Sequence, residues 1–198
     1  MNHYYTNDPD LEHDEHQFDF ELAGNRLRFT TDSGVFSKHT IDYGSRVLIE
    51  TVIASDLPAG ALLDVGTGYG PIGLSLAKHF GDRKITMTDV NQRALGLATR
   101  NADANDVKNV TILESDRYSA VTGDFGVIVT NPPVRAGKTI VTDIIAGADA
   151  HLSEGGQLFV VLQKKQGAPS ALKLMREVYS EADVIKKDRG YYILRAIK

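Results

Sequence analysis

Leu62-Leu63-Asp64-Val65-Gly66-Thr67-Gly68-Tyr69-Gly70-Pro71-Ile72-Gly73 is the stretch from which the rest of this chain can be read. Residues 61–65 form a short apolar run and read as a buried strand, and a helix opens at about Pro71. Between them stand Gly66, Gly68 and Gly70 at every second position. Glycine there lets the backbone take positive φ and approach a ligand with no Cβ in the way. Pro71 suits the first turn of a helix, where its missing N–H is not needed. The helix start presents free N–H groups to whatever sits on the loop. A plain strand-to-helix turn needs one glycine, not three after an acidic residue.

The loop satisfies two overlapping patterns. Gly68-x-Gly70-x-x-Gly73 matches the dinucleotide fingerprint, which sets a pyrophosphate on the helix N-terminus. Asp64-x-Gly66-x-Gly68-x-Gly70 instead puts a carboxylate before the glycines, and a fixed negative charge suits a cationic ligand better than a pyrophosphate. The choice between them rests on residues further along.

Composition bounds the answer. The chain has 198 residues, enough for one α/β domain with a sizeable core. It has no cysteine, which excludes a disulfide framework, a thiolate nucleophile and cysteine-based metal sites. No apolar run approaches the ~20 residues needed to span a membrane, and the N-terminus has no signal-peptide pattern. A soluble protein of the cytoplasm is expected. The net charge of −4 is unevenly spread. Residues 1–21 carry seven acids and no Lys or Arg, leaving 22 bases against 19 acids in the remainder. A mildly basic body permits nucleic-acid binding without demanding it. Residues 1–16 read as an acidic, polar and loosely packed leader. His13 and His16 lack the periodicity that would fix them on a metal, so no metal site is expected.

Residues 17–198 read as a single domain. Within 17–60, Phe18, Phe20 and Leu22, then Leu27 and Phe29 after Gly24-Asn25, alternate with polar residues as in a β-hairpin. It reads as an accessory cap outside the main sheet. A loop with Gly34 and Phe36 follows, and then a helix after Asp42 with Val47, Leu48, Thr51 and Val52 on one face. Residues 61–198 form the core. Strands are expected at 84–88, 110–113, 125–130 and 157–162, and helices at 71–79, 92–104, 138–152 and 169–179, with a turn at Glu154-Gly155-Gly156. Such alternation implies a mostly parallel sheet with helices on both faces. Residues 183–186 and 191–197, joined through Asp188-Arg189-Gly190, read as a closing hairpin that adds one antiparallel strand.

In an open α/β sheet, ligands bind beyond the carboxyl ends of the strands. The first four core strands end in Asp64 with its glycines, Asp89-Val90, Asp116, and Asn131-Pro132-Pro133. Each Asp alone is also a common helix N-cap. At its strand end Asp89 can accept two ribose hydroxyls, and Asp116 is placed to read an adenine amino group. Asn131-Pro132-Pro133 discriminates: two prolines remove backbone donors and stiffen the turn. What remains are the carbonyls of Asn131 and Pro132 and the Asn131 side-chain oxygen. Grouped acceptors suit a substrate amino group, and a nicotinamide site has no use for them.

On these residues the chain resembles the class I S-adenosylmethionine-dependent methyltransferases. Asn131-Pro132-Pro133 resembles the branch that methylates exocyclic or amide nitrogens. Gly34-Val35-Phe36-Ser37 followed by Asp42-Tyr43-Gly44-Ser45 is similar to the RsmC-like guanine-N2 methyltransferases of small-subunit ribosomal RNA. The resemblance covers about residues 18–198. It implies a Rossmann-like α/β fold with a seven-stranded sheet, and S-adenosyl-L-methionine as methyl donor. Ribosomal RNA or the small ribosomal subunit would be the partner, with no membrane and no metal. It places Asp64, Gly66, Thr67, Gly68, Gly70, Asp89, Val90, Asp116 and Asn131 on the donor, and Asp42 and Gly44 at its methionine end. The sequence departs from the family at Val134, where many amino-methyltransferases have an aromatic residue, and the second, N-terminal domain common in the group is expected to be absent.

Asn131 and Pro132 are the expected catalytic residues. They would accept the two N–H bonds of the amine and aim its lone pair at the methyl group, so that alignment does most of the work. Phe36 reads as core by residue type and, by position, as a ring that would stack on a flipped base. Pro133 and Val134 would flank the base, and Lys38, Arg135 and Lys138 would bind phosphates. Alternatives are a protein glutamine or small-molecule N-methyltransferase, and a ribosome-assembly module without turnover.

Overall fold

A computed structural model describes residues 12–198; the first eleven residues of the expected leader lie outside the described residues. The chain opens with β1 (His16–Leu22) and β2 (Asn25–Thr31), then α1 (Tyr43–Ile53) and β3 (Leu62–Val65). There follow α2 (Pro71–His79), β4 (Ile85–Asp89), α3 (Gln92–Ala104), β5 (Val110–Glu114) and β6 (Phe125–Thr130). The last elements are α4 (Lys138–Gly147), β7 (Leu152–Gln163), α5 (Ala168–Val178), β8 (Glu181–Asp188) and β9 (Tyr191–Ile197).

Seven strands form one sheet in the order β5-β4-β3-β6-β7-β9-β8, and β1 and β2 form a separate antiparallel pair. β3 pairs in parallel with both β4 and β6, while β9 runs antiparallel to β7 and β8. After β3 the chain winds one way to β4 and β5, then returns to β6 on the other side. The crevice between the ends of β3 and β6 is therefore the topological switch point, where open α/β sheets bind ligands.

The central strands are apolar throughout because helices cover both faces. Alternate side chains go to opposite cores, following the strand's period of two. Leu62, Val127, Val129, Phe159 and Val161 join the core under α1, α2 and α3. Leu63, Val65, Ile128, Leu158, Val160 and Leu162 join the one under α4 and α5. The helix expected over 138–152 stops earlier. α4 ends at Gly147, a 3-10 turn spans Ala148–His151, and Leu152 already pairs with Phe125. Glu154-Gly155-Gly156 is a bulge inside β7 rather than a turn before it, since pairing jumps from Phe125↔Leu152 to Val127↔Gln157.

The hairpin lies against α3 through two amides one helical turn apart. Asn105 accepts from the N–H of Arg28 and donates to its carbonyl at 2.7 Å each. Asn101 does the same for Thr30, at 2.7 and 3.0 Å. Residues four apart on a helix match the rise of two residues along a strand, so α3 supplies a ladder to an otherwise open edge. The tail of the expected leader is tied down here: Asp32 accepts from the backbone N–H of Asp14 at 2.6 Å and pairs with His13 Nδ1 at 2.5 Å, and Arg100 pairs with Glu15 at 2.6 Å.

Asp64 holds the glycine loop from below. It is fully buried, and its Oδ2 accepts from the Thr67 hydroxyl at 2.6 Å and the Gly73 N–H at 2.8 Å. A Cβ on Gly73 would stand 2.7 Å from Met87 Cγ and 3.0 Å from that same oxygen, so the close approach of α2 to β3 and β4 needs glycine. Burial pushes the Asp64 carboxyl up to about 7, against the opposing pull of its two donors.

Two expectations follow. A Cβ at Gly126 would meet the carbonyl oxygen of Ala59 at 2.1 Å. Backbone cannot swing aside as a side chain can, so Gly126→Ala should lower the unfolding free energy by at least about 2 kcal/mol. A urea midpoint equal to wild type at unchanged m-value would show that the 57–61 turn yields instead. For Asp64, a folded-state value above the unfolded one means stability that is full at low pH and is lost as pH rises through about 7. Between about pH 4 and about pH 8 wild type should therefore lose more melting temperature than Asp64→Asn, and parallel curves would refute the raised ionisation.

Candidate active site

The switch-point crevice opens into a cavity of about 720 Å³, within the ~300–1,000 Å³ range of small-molecule sites. One wall is the loop after β3, with Gly66 at φ +76° and Gly68 at φ +59°. No atom lies within 4 Å of a Cβ built on either glycine, so packing is not what excludes a side chain there. The left-handed backbone is. Asp89 and Val90 after β4, and Ser115, Asp116 and Arg117 after β5, continue the wall. Asn131 to Ala136 form the opposite side, and Phe36 and Tyr191 stand at its edges.

Asp89 ties the first wall together. Its Oδ2 accepts from the Gly68 N–H at 2.8 Å and its Oδ1 from the Asn91 N–H at 2.9 Å. Burial pushes its carboxyl up, and these backbone donors pull the other way. The Val90 N–H bonds this carboxylate as well, so of its roughly four acceptor sites one is left for a hydroxyl donor. Asp116 is exposed, with Arg117 donating to it at 2.9 Å and also to Asp143 at 2.7 Å.

The Asn131 amide is held by direction as well as position. Its Nδ2 donates to Asp42 Oδ2 at 3.1 Å and to Ser45 Oγ at 2.9 Å. An ionised carboxylate only accepts, so the NH2 arm must face Asp42 and Oδ1 takes the other arm. Asp42 in turn caps α1, its Oδ1 accepting from the N–H groups of Gly44 and Ser45. The carbonyl of Pro132 accepts from the Val134 N–H at 2.8 Å across Pro133, whose φ −75° and ψ 80° are those of an inverse γ-turn. One lone pair of that carbonyl is thus already used.

Most of the residues expected from sequence meet in this cavity: Asp42, Gly66, Thr67, Gly68, Asp89, Val90, Asp116, Asn131, Pro132, Phe36, Pro133, Val134 and Arg135. Five do not line it. Asp64 is sealed beneath the loop and shapes the wall instead of forming it, and with a carboxyl near 7 it is no fixed charge. Gly70 is a left-handed N-cap against Leu74 and Met87, and Gly44 lies under the ring of Tyr191. Lys38 is engaged by Asp14, and Lys138 starts α4 on the exposed side. Phe36 is 46% exposed, which corrects the core reading of its residue type. Sequence reasoning missed Tyr69, Ser45 and Tyr191. The Tyr69 ring packs on Phe18 and Phe29, and its hydroxyl donates toward the carbonyls of Ser37 and Thr40 at 3.3 and 3.4 Å. An aromatic residue between Gly68 and Gly70 was the available signal for Tyr69; Tyr191, far away in the chain, offered none.

Comparison with known proteins agrees with this geometry. The profile of the methyltransferase small domain matches residues 26–195. A Bacillus subtilis protein of uncharacterized role, YbxB, is 47% identical over 99% of this chain and 98% of its own length. Ribosomal RNA small subunit methyltransferase C of Erwinia tasmaniensis is 31% identical over 90% of this chain and 52% of that protein. The solved T. thermophilus 16S rRNA guanine-N2 methyltransferase RsmC, in complex with AdoMet and guanosine, superposes with a TM-score of 0.84 at 26% identity, covering 93% of this chain and 50% of that one. The chain thus spans about half the length of the RNA methyltransferases it matches. By profile, by identity and by a Rossmann-like sheet with its site at the switch point, it belongs to the methyltransferase small domain family.

Proposed function

We propose that this protein transfers a methyl group from S-adenosyl-L-methionine to the exocyclic N2 amine of a guanine in small-subunit ribosomal RNA. The observation that carries the reading is the fixed amide of Asn131, with its NH2 arm occupied by Asp42 and Ser45. Its Oδ1 accepts no bond from any described residue and is left as an acceptor beside the γ-turn carbonyl of Pro132.

The residues present fit the donor. Asp89 offers an acceptor for a ribose hydroxyl, the Gly66–Gly68 backbone leaves room for close approach, and the carboxylate of Asp42 faces the same cavity. The bound donor supplies a methyl group already activated on a sulfonium, so no covalent enzyme intermediate is called for. The protein's part is placement. A guanine amine is a poor nucleophile because its lone pair is delocalised into the ring. Asn131 Oδ1 and the remaining lone pair of the Pro132 carbonyl accept its two N–H bonds, which favours a pyramidal nitrogen with its lone pair turned toward the methyl. Acceptors fixed in advance stabilise the positive charge that grows on nitrogen, and the methylated nitrogen then sheds one proton to water. The base leaves its stack to reach the site, at a cost of a few kcal/mol, and the exposed ring of Phe36 at the mouth receives it in place of the aromatic residue that Val134 replaces. The rRNA methyltransferases among its relatives, one of them solved with guanosine, support guanine as the base.

Asn131→Ala should leave S-adenosyl-L-methionine affinity near wild type and lower turnover by about two orders of magnitude or more, measured with labelled donor and 30S particles. An equal loss in donor affinity would show that Asn131 chiefly holds the cofactor, and label found in protein alone would refute the RNA substrate. Ser45→Ala removes one of the two partners that keep the amide from turning over. Its turnover should fall about tenfold with donor binding unchanged, as for one lost hydrogen bond. Turnover equal to wild type would mean that Asp42 suffices.

A further inference from the structure

The two sides of the cavity mouth differ in charge. On the hairpin side the bases are already answered: Lys38 by Asp14, Arg93 by Asp32 at 3.6 Å and Arg100 by Glu15 at 2.6 Å. On the other side Gln163, Gln166 and Tyr191 line the cavity. Between the two glutamines, Lys164 and Lys165 lie in a 3-10 turn after β7. The Lys164 N–H donates to the Gly190 carbonyl at 2.9 Å, which joins that turn to the β8–β9 turn with Arg189 and to the end of β8, where Lys186 and Lys187 stand. All five bases are exposed, and none has an ion-pair partner among the described residues. The one acid in this group, Asp188, accepts a hydrogen bond from the Tyr43 hydroxyl.

Two of these cations are also held in place. The Arg189 guanidinium lies 4.9 Å from the Tyr43 ring centre, and Lys187 Nζ lies 5.2 Å from that of Tyr192. The Tyr43 and Tyr191 rings are 5.9 Å apart, so the propped arginine adjoins the cavity edge. A chain of net charge −4 that gathers five bases at one rim pays in self-repulsion, which an anionic partner relieves. Fixed cations beside aromatic rings at the mouth of a base-sized cavity suit a single-stranded backbone with its phosphates at regular intervals.

We propose that the RNA strand flanking the target base runs over the β7–α5 and β8–β9 turns. Lys164, Lys165, Lys186, Lys187 and Arg189 meet its phosphates, while the paired bases of the hairpin side, held by Asp14, Glu15 and Asp32, leave little net charge there to attract it. This rests on the RNA reading above and adds the route of approach.

The test is fluorescence anisotropy of a single-stranded RNA oligonucleotide with the full chain carrying Lys164→Glu, Lys165→Glu, Lys186→Glu and Lys187→Glu. Losing four phosphate contacts should weaken binding roughly a hundredfold at about 0.1 M salt and flatten the slope of log affinity against log salt by about 3. Affinity for S-adenosyl-L-methionine should hold, since none of the four lines the cavity. If it does not, the four Lys→Gln substitutions decide, with the same flattening expected. The same number of reversals far from the rim, at Lys78, Lys84, Lys108 and Lys173, should cost less than a third as much. RNA affinity equal to wild type in the rim variants, or an equal loss in the distant ones, would overturn the route and leave the RNA reading standing. A wild-type chain that binds no RNA would overturn both. Tighter binding of polyglutamate than of RNA would reassign this surface to an acidic protein and overturn the route.

Discussion

A single buried carboxylate oxygen, Asp64 Oδ2, joins the last turn of β3, the glycine loop and the first turn of α2 into one unit. It shares the floor of the loop with the Thr88 carbonyl, which accepts from the N–H groups of Gly66 and Thr67, because Gly66 and Gly68 contribute no side chain and sit at positive φ. The bond from Asp89 to the Gly68 N–H fixes the loop's outer lip in the same way. A carboxylate accepting backbone N–H groups is a short, directional link, and two of them set the position of a loop that glycine alone would leave free.

From that unit the rest of the site is assembled outward. Tyr69 reaches from the loop into the hairpin, packing on Phe18 and Phe29 and bonding the 37–40 segment that carries Phe36 toward the mouth. Its carbonyl accepts from Asn101, whose amide also pairs with Thr30 of β2. The hairpin is therefore coupled to the glycine loop through one tyrosine and one asparagine. A shift of the cap would be felt at the cavity.

On the far side of the crevice the proline pair contributes stiffness and Asp42 contributes direction. Pro132 and Pro133 lack N–H groups, so they cannot compete for the acceptors beside them. Asp42 divides its two oxygens between the start of α1 and the Asn131 amide. The N-terminal helix, separated from Asn131 by nearly ninety residues, thereby dictates which end of that amide faces a substrate. A site that works by placement depends on such supports, because a small misorientation of an acceptor is enough to lose the alignment.

Much of this was legible in the chain itself. Apolar runs alternating with helical stretches, a glycine-rich turn and a closing hairpin give the α/β class and one antiparallel strand. The polar strand ends at Asp89, Asp116 and Asn131 mark the ligand edge. What local pattern could not supply was the division of labour among the acids. Asp64 and Asp89 look alike at two strand ends, yet only Asp89 lines the cavity, because Asp64 has α2 packed over it. Lys38 reads like the bases near the site until the fold brings Asp14 to it. Residue type and spacing determine which elements form and which groups can do chemistry. Which of those groups is buried, neutralised or aimed depends on contacts between residues distant in sequence, and only the tertiary structure decides that.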